Sequence, residues 1–235
     1  MINNVTDDDN ILKVTDLKVD LQDQVILDKI SFEIKRGTSL AIIGPYGAGK
    51  TVLLKTLFKL IPYTGKIEWS NNLKIGYVPQ ALSAHGIPIS VREFLSLKNK
   101  SKVEDALNSV GLDSKNIVDK GLGVLSGGQL RRVLIAWAII DKPDVLLLDE
   151  PTTGVDIDSE EAIYEMLKRF TEANNITLIL ISHDIHIVRE FSDYILALNK
   201  CIVFFGESEK IMNPDLQRQI YGEAHVCIYE PVVSK

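Results

Sequence analysis

The octet Gly44-Pro45-Tyr46-Gly47-Ala48-Gly49-Lys50-Thr51 satisfies the pattern G-x-x-x-x-G-K-[ST] and constrains this chain more than any other feature. It follows a short apolar run at 39–43 that reads as a buried strand. It leads into helical spacing over 51–60, which Ile61-Pro62 stops. Glycines let backbone N–H groups curl round phosphate oxygens, and a helix N-terminus adds a positive dipole end. Lys50 supplies a point charge for β- and γ-phosphates, and the Thr51 hydroxyl is a ligand for Mg²⁺. A strand, a phosphate loop and a helix in that order require an α/β architecture.

Such a loop needs carboxylates on a second strand. The run Val145-Leu146-Leu147-Leu148 ends in Asp149-Glu150. Asp149 suits Mg²⁺ held through water, and Glu150, pointing the other way, can accept a proton from an attacking water. A second anion-binding helix start follows from Leu125-Ser126-Gly127-Gly128-Gln129, with Ser126 as N-cap. One chain therefore carries two phosphate cradles, 76 positions apart (126 − 50). Either each monomer binds two nucleotides, or each cradle is half of a site that a second copy completes. The second option explains why only one cradle has a lysine and metal ligands, and predicts a dimer with two shared sites.

The remaining pattern supplies the frame. Residues 11–19 and 25–34 alternate at period two and read as a hairpin; 66–69 and 74–78 are further strands. Ser90-Val91-Arg92-Glu93 and Ser101-Lys102-Val103-Glu104 match the capping box, so a helix is predicted from each, with a third over 129–140. Strands at 145–148, 176–181 and 194–198 then alternate with helices at 158–173 and 185–191. The expected fold class is α/β: a P-loop NTPase core with a mostly parallel sheet, an antiparallel β subdomain and an inserted α-helical subdomain. Residues 1–10 are expected to be disordered, 11–206 to form the nucleotide-binding domain with its helical subdomain near 84–140, and 207–235 to form a helical tail.

Composition narrows the function. With 26 Lys+Arg against 32 Asp+Glu, the net charge of −6 speaks against a general nucleic-acid binder. The longest apolar run, 133–140, is far short of the roughly 20 residues that span a bilayer. The polar, acidic start MINNVTDDDN is no signal peptide. Two cysteines, Cys201 and Cys227, exclude a disulfide scaffold and a cysteine zinc site, and fit a reducing cytoplasm. His225 and Cys227 lack further ligands nearby and carry no metal-site reading. Arg131 and Arg132 read as a solvated or interface face, and His186 as a solvated helix residue.

With GPYGAGKT before it and LLLDEPTTGVD and ISHD after it, LSGGQ resembles the signature of the ATP-binding cassette family of transport ATPases. The likeness runs from about residue 11 to 230, with five motifs in the family's order. It implies ATP and Mg²⁺ as cofactors. It implies that Gln80, in Tyr77-Val78-Pro79-Gln80, touches Mg²⁺ and the attacking water, that Glu150 is the general base, and that His183 contacts the γ-phosphate. Asp156 would lie at a dimer seam, and Ser126, Gly127, Gly128 and Gln129 would close over the partner's ATP. Two positions depart from the family: Leu21 stands where an aromatic residue usually stacks on adenine, and Tyr46 replaces the usual loop asparagine. Losing the stack implies weaker or less base-selective nucleotide binding.

The short interval between Lys50 and Ser126 leaves no room for the coiled coil of repair cassettes, and a single cassette differs from the paired cassettes of translation factors. The resemblance therefore implies a subunit on the cytoplasmic face of the membrane, docked on a separate transmembrane permease and served indirectly by a substrate-binding protein. Residues 81–89 are the expected permease contact. KIGYVPQ, residues 89–97, TTGVD, SHDIHIV and the tail 213–229 are similar to ATPase subunits of zinc and manganese uptake systems, which implies divalent-metal import. Lipid or lipoprotein export, and an ATP-gated regulator without useful turnover, are the alternatives.

Overall fold

The computed structural model describes residues 9–80, 87–153, 155–222, 227 and 232. In chain order the first elements are β1 (Asn10–Leu21), β2 (Gln24–Lys35), β3 (Ser39–Ile43), α1 (Lys50–Leu57), β4 (Thr64–Trp69) and β5 (Ile75–Val78). Helices follow: α2 (Val91–Asn99), α3 (Val103–Ser109), α4 (Ser114–Ile117) and α5 (Gly127–Ile139). The remainder alternates as β6 (Val145–Asp149), α6 (Ile157–Asn174), β7 (Thr177–Ile181), α7 (Ile185–Phe191), β8 (Tyr194–Asn199), β9 (Cys201–Glu207) and α8 (Pro214–Tyr221). The described residues fall into two units, one ending at Asn72 and resuming at Ser182, the other spanning Leu73–Ile181.

The first unit holds an antiparallel sheet in the order β2-β1-β4. Its hairpin closes through Gln22 and Asp23, both at positive φ (49° and 61°), so that Leu21 faces Gln24. Two left-handed residues give the turn whose twist matches paired strands. In the same unit β3 runs parallel to β8, and β9 returns antiparallel to β8. Ala41, Ile43, Ile195, Ala197 and Val203 from these strands form a core with Val188 of α7 and Ile220 of α8.

The second unit carries β5, β6 and β7 in parallel. Every residue of β6 and β7 is buried, the pattern of strands covered on both faces. Helix α2 begins at the predicted capping box: Glu93 N–H donates to Ser90 Oγ (3.2 Å) and Ser90 N–H to Glu93 Oε2 (2.8 Å). The box predicted at Ser101 does not form. Residues Lys100–Lys102 make a 3-10 turn, and the Ser101 hydroxyl donates to Asn99 Oδ1 (2.9 Å), so α3 starts at Val103 with no side-chain cap.

Two further findings depart from the sequence reading. The cysteines are bonded to one another, Cys201 at the start of β9 to Cys227, with Cα atoms 5.6 Å apart. Beyond them Val232 pairs in parallel with Phe32 of β2, and Glu33 N–H donates to the Val232 carbonyl (2.9 Å). The expected disorder at 1–8, His225 and most of the expected permease contact, 81–86, lie outside the described residues.

Candidate active site

In the first unit the phosphate loop leaves β3 at Gly44 and enters α1 at Lys50, with Gly49 as N-cap at φ 95°. Three loop glycines take positive φ: Gly44 at 144°, Gly47 at 78° and Gly49 at 95°. At Gly44 and Gly49 the chain itself demands glycine. A Cβ there would stand 2.0 Å from the Leu198 carbonyl oxygen and 2.7 Å from Leu27 Cδ2 respectively. At Gly47 a Cβ would meet none of the described residues within 4 Å, so that side of the loop is open, as a phosphate requires. Ala48 is fixed from two sides: its N–H donates to the Pro45 carbonyl (3.2 Å), and its carbonyl accepts from Lys200 N–H (3.0 Å).

Lys50 Nζ donates to the carbonyls of Gly44 (2.8 Å) and Pro45 (2.9 Å), which hold the ammonium over the loop. The Tyr46 ring, 92 % exposed, lies with its centroid 5.9 Å from Lys50 Nζ. The residue that departs from the family pattern thus adds an aromatic face to the loop lysine. Elsewhere in this unit His183 is exposed. Its neighbours are fixed: Ser182 is buried, and Asp184 caps α7, accepting from His186 N–H (2.7 Å) and Ile187 N–H (3.2 Å). His186 is exposed, as predicted.

The second unit holds the carboxylates. Asp149 closes β6 and is 2 % exposed. Burial, reinforced by the Asp149 charge, pushes the Tyr77 hydroxyl above its ordinary pKa. Glu150 follows at φ 46°, a left-handed conformation that costs a non-glycine residue of order 1–3 kcal/mol and collects at functional positions. That twist turns Glu150 out of the strand, while its N–H still donates to the Ile181 carbonyl (3.1 Å). Two donors meet one oxygen of its carboxylate: Gln80 Nε2 at 2.6 Å and Thr153 Oγ1 at 3.3 Å from Oε2. The structure thus brings Gln80 to Glu150, and adds Thr153, which the sequence reading missed.

The cap predicted at Ser126 is formed. Ser126 caps α5, accepting from Gln129 N–H (3.2 Å) while its own N–H donates to Gln129 Oε1 (3.2 Å). A Cβ at Gly128 would meet Ser159 at 3.6 Å and Val155 at 3.8 Å, ordinary contacts, and no positive φ is required. Nothing inside the described chain calls for glycine at this position. Asp156 caps α6; the Ser159 N–H, 3.0 Å from its Oδ1, draws its carboxyl below the usual range.

Arg131 corrects the sequence reading. It is 6 % exposed rather than solvated, and its guanidinium donates to the carbonyls of Pro79 (2.9 Å), Gln80 (2.7 Å) and Thr153 (3.4 Å). Its only signal in the sequence was its place on α5 just before the apolar run 133–140.

Comparison with known proteins agrees with this geometry. The family model described as ABC transporter matches residues 27–153. The zinc import ATP-binding protein ZnuC of Mannheimia succiniciproducens is 34 % identical over 218 residues, 91 % of this chain and 82 % of that protein. The protein of the same name from Histophilus somni is 37 % identical over 219 residues, 90 % and 81 % of the two chains. Among solved structures, cbiO1 of Clostridium perfringens, part of the ABC transporter complex cbiONQ, superposes with a TM-score of 0.77 at 28 % identity, covering 89 % of this chain and 93 % of that one. The ADP conformation of MJ1267, an ATP-binding cassette, gives 0.78 at 23 % identity, covering 89 % and 97 %, and attests the fold alone. With its phosphate loop, capped LSGGQ helix and carboxylate-bearing strand following one another along the chain, and with that match and those relatives, the chain belongs to the ABC transporter family and is one of its ATPases.

Proposed function

We propose that this chain hydrolyses ATP to drive a permease that imports zinc. The observation that carries the substrate is the identity of 34–37 % over about nine-tenths of the chain to proteins named for zinc import. Among the described residues no helix is long and apolar enough to cross a membrane, which fits a subunit lying at the cytoplasmic face against its permease. A substrate-binding protein would deliver the ion to the permease rather than to this chain.

The residues present suit ATP and Mg²⁺. Gly47 leaves the loop open where phosphate oxygens would meet backbone N–H groups, and Lys50 carries the matching charge. Thr51, Asp149 and Gln80 offer only oxygen donors, the chemistry magnesium prefers. When bound, the metal would neutralise charge on the β- and γ-phosphates. In this reading two copies bind two ATP molecules, each held by one chain's residues 44–51 and the other's Ser126, Gly127, Gly128 and Gln129, with Asp156 at the seam. Gln80 orients the water, Glu150 takes its proton, and His183 meets the γ-phosphate. Hydrolysis removes the group that joins the subunits, and the pair reopens.

The test is reconstitution with the permease in liposomes, with the substrate-binding protein added on the substrate side. Zinc at the substrate side is expected to raise ATP turnover, and Glu150→Gln to lower kcat by about 10²–10⁴ through loss of the base while ATP still binds. Stimulation by manganese alone would overturn the assignment of zinc. Unchanged turnover in the variant would overturn the role of Glu150.

A further inference from the structure

The guanidinium of Arg131 is an isolated cost to the fold. It is buried, and the hydrogen bonds the structure gives it run to three main-chain carbonyls. Removing a cation from water in exchange for neutral acceptors contributes little to stability. Its acceptors are informative. Gln80 and Thr153 are also the two residues whose side chains donate to Glu150 Oε2. One planar group therefore grips the backbone of both residues that hold the carboxylate, from a position two residues past Gln129 on α5. Burial draws the guanidinium below its ordinary pKa, yet arginine starts so high that it keeps its charge.

We propose that Arg131 is a positioning residue for hydrolysis: it fixes the main chain of Gln80 and Thr153, so that both side chains converge on Glu150, and ties that carboxylate to the LSGGQ helix. The proposal rests on Glu150 acting as the base. A long glutamine side chain can adopt many rotamers, and only an anchored backbone brings its amide repeatedly to one oxygen. Arginine suits the task because its fork reaches several acceptors at once. A lysine ammonium would serve one carbonyl well and leave the others.

ATP turnover of the full chain is measured for Arg131→Met and Arg131→Lys, each alone and with Gln80→Ala, beside Glu150→Gln; unfolding midpoints are recorded in parallel. Arg131→Met is expected to lower kcat about 10- to 100-fold with KM for ATP within about two-fold, since the lost order belongs to the transition state. Arg131→Lys is expected to fall between that variant and the parent. In the Gln80→Ala background the loss should shrink to about three-fold, because the side chain being positioned is gone. Unchanged kcat, a raised KM at full kcat, or an equal loss with and without Gln80 would each overturn the proposal. If Arg131→Met does not fold, the same comparison is read from Arg131→Lys. Loss of turnover in Glu150→Gln beside an unaffected Arg131→Met would sink this proposal and leave the base intact; full turnover in Glu150→Gln would sink both.

Discussion

A Cβ on Gly44 would stand 2.0 Å from a backbone oxygen, Leu198 O, whereas one on Gly47 would meet none of the described residues within 4 Å. Both positions take positive φ, so both pay for an added methyl in conformational energy; only Gly44 also pays in a clash that no side chain can relieve. Gly44→Ala is therefore expected to destabilise the protein by about 2 kcal/mol or more. Gly47→Ala should cost about 1–2 kcal/mol yet weaken nucleotide binding, because the methyl projects into the open face of the loop. Denaturant unfolding paired with ATP titration separates the two; equal stability losses with unchanged ATP affinity would contradict the reading. Lys50, Asp149 and Glu150 could be proposed from the sequence because their chemistry is tied to a local pattern, whereas Gln80 was proposed only through the family resemblance, and the structure places its amide on Glu150. Arg131 was not, since two adjacent arginines at a helix start look solvated until the fold brings Pro79 and Thr153 beside the first.

Ser90 and Ser101 carry the same four-residue pattern and adopt different roles. Ser90 closes a complete box with Glu93, and the Ser90 N–H and hydroxyl draw the Glu93 carboxyl below its ordinary range. A depressed carboxyl adds stability at pH above its unfolded value, and loses it as pH falls through its folded one. Ser90→Ala should cost about 1 kcal/mol, whereas Ser101→Ala, which removes only a hydrogen bond to Asn99, should stay within about 0.5 kcal/mol. Similar losses at the two sites, by chemical unfolding, would refute the assignment of caps. Strand and helix order was otherwise readable from periodicity, with the one-turn α4 and strand β9 the exceptions. Strand β9 joins β8 through Lys200 alone, at φ 63°, where a glycine or asparagine would have announced the turn. That tight turn persists because Lys200 is braced on both sides: its N–H donates to the Ala48 carbonyl (3.0 Å) and its carbonyl accepts from Asp28 N–H (2.7 Å). The covalent link of Cys201 to Cys227 was equally hidden, since two cysteines 26 positions apart announce a bond only once the fold sets them side by side.

For the molecule as a whole, the decisive feature is a cradle whose glycine is required by none of the described residues. Among the described residues Gly128 has room for a methyl and an ordinary backbone, so none of them accounts for a glycine there, and a group approaching from a partner copy would. That is the physical core of the claim that each ATP is shared by two copies, one giving Lys50 and the other Gly128. Mixing two inactive variants tests it most directly: Lys50→Met, crippled in the phosphate loop, and Gly128→Asp, crippled in the second cradle. Random pairing makes half the dimers mixed, and in each of these one site combines an intact loop with an intact cradle, so ATPase activity should return to about one quarter of the parent's. A mixture no more active than either variant alone would contradict the shared site.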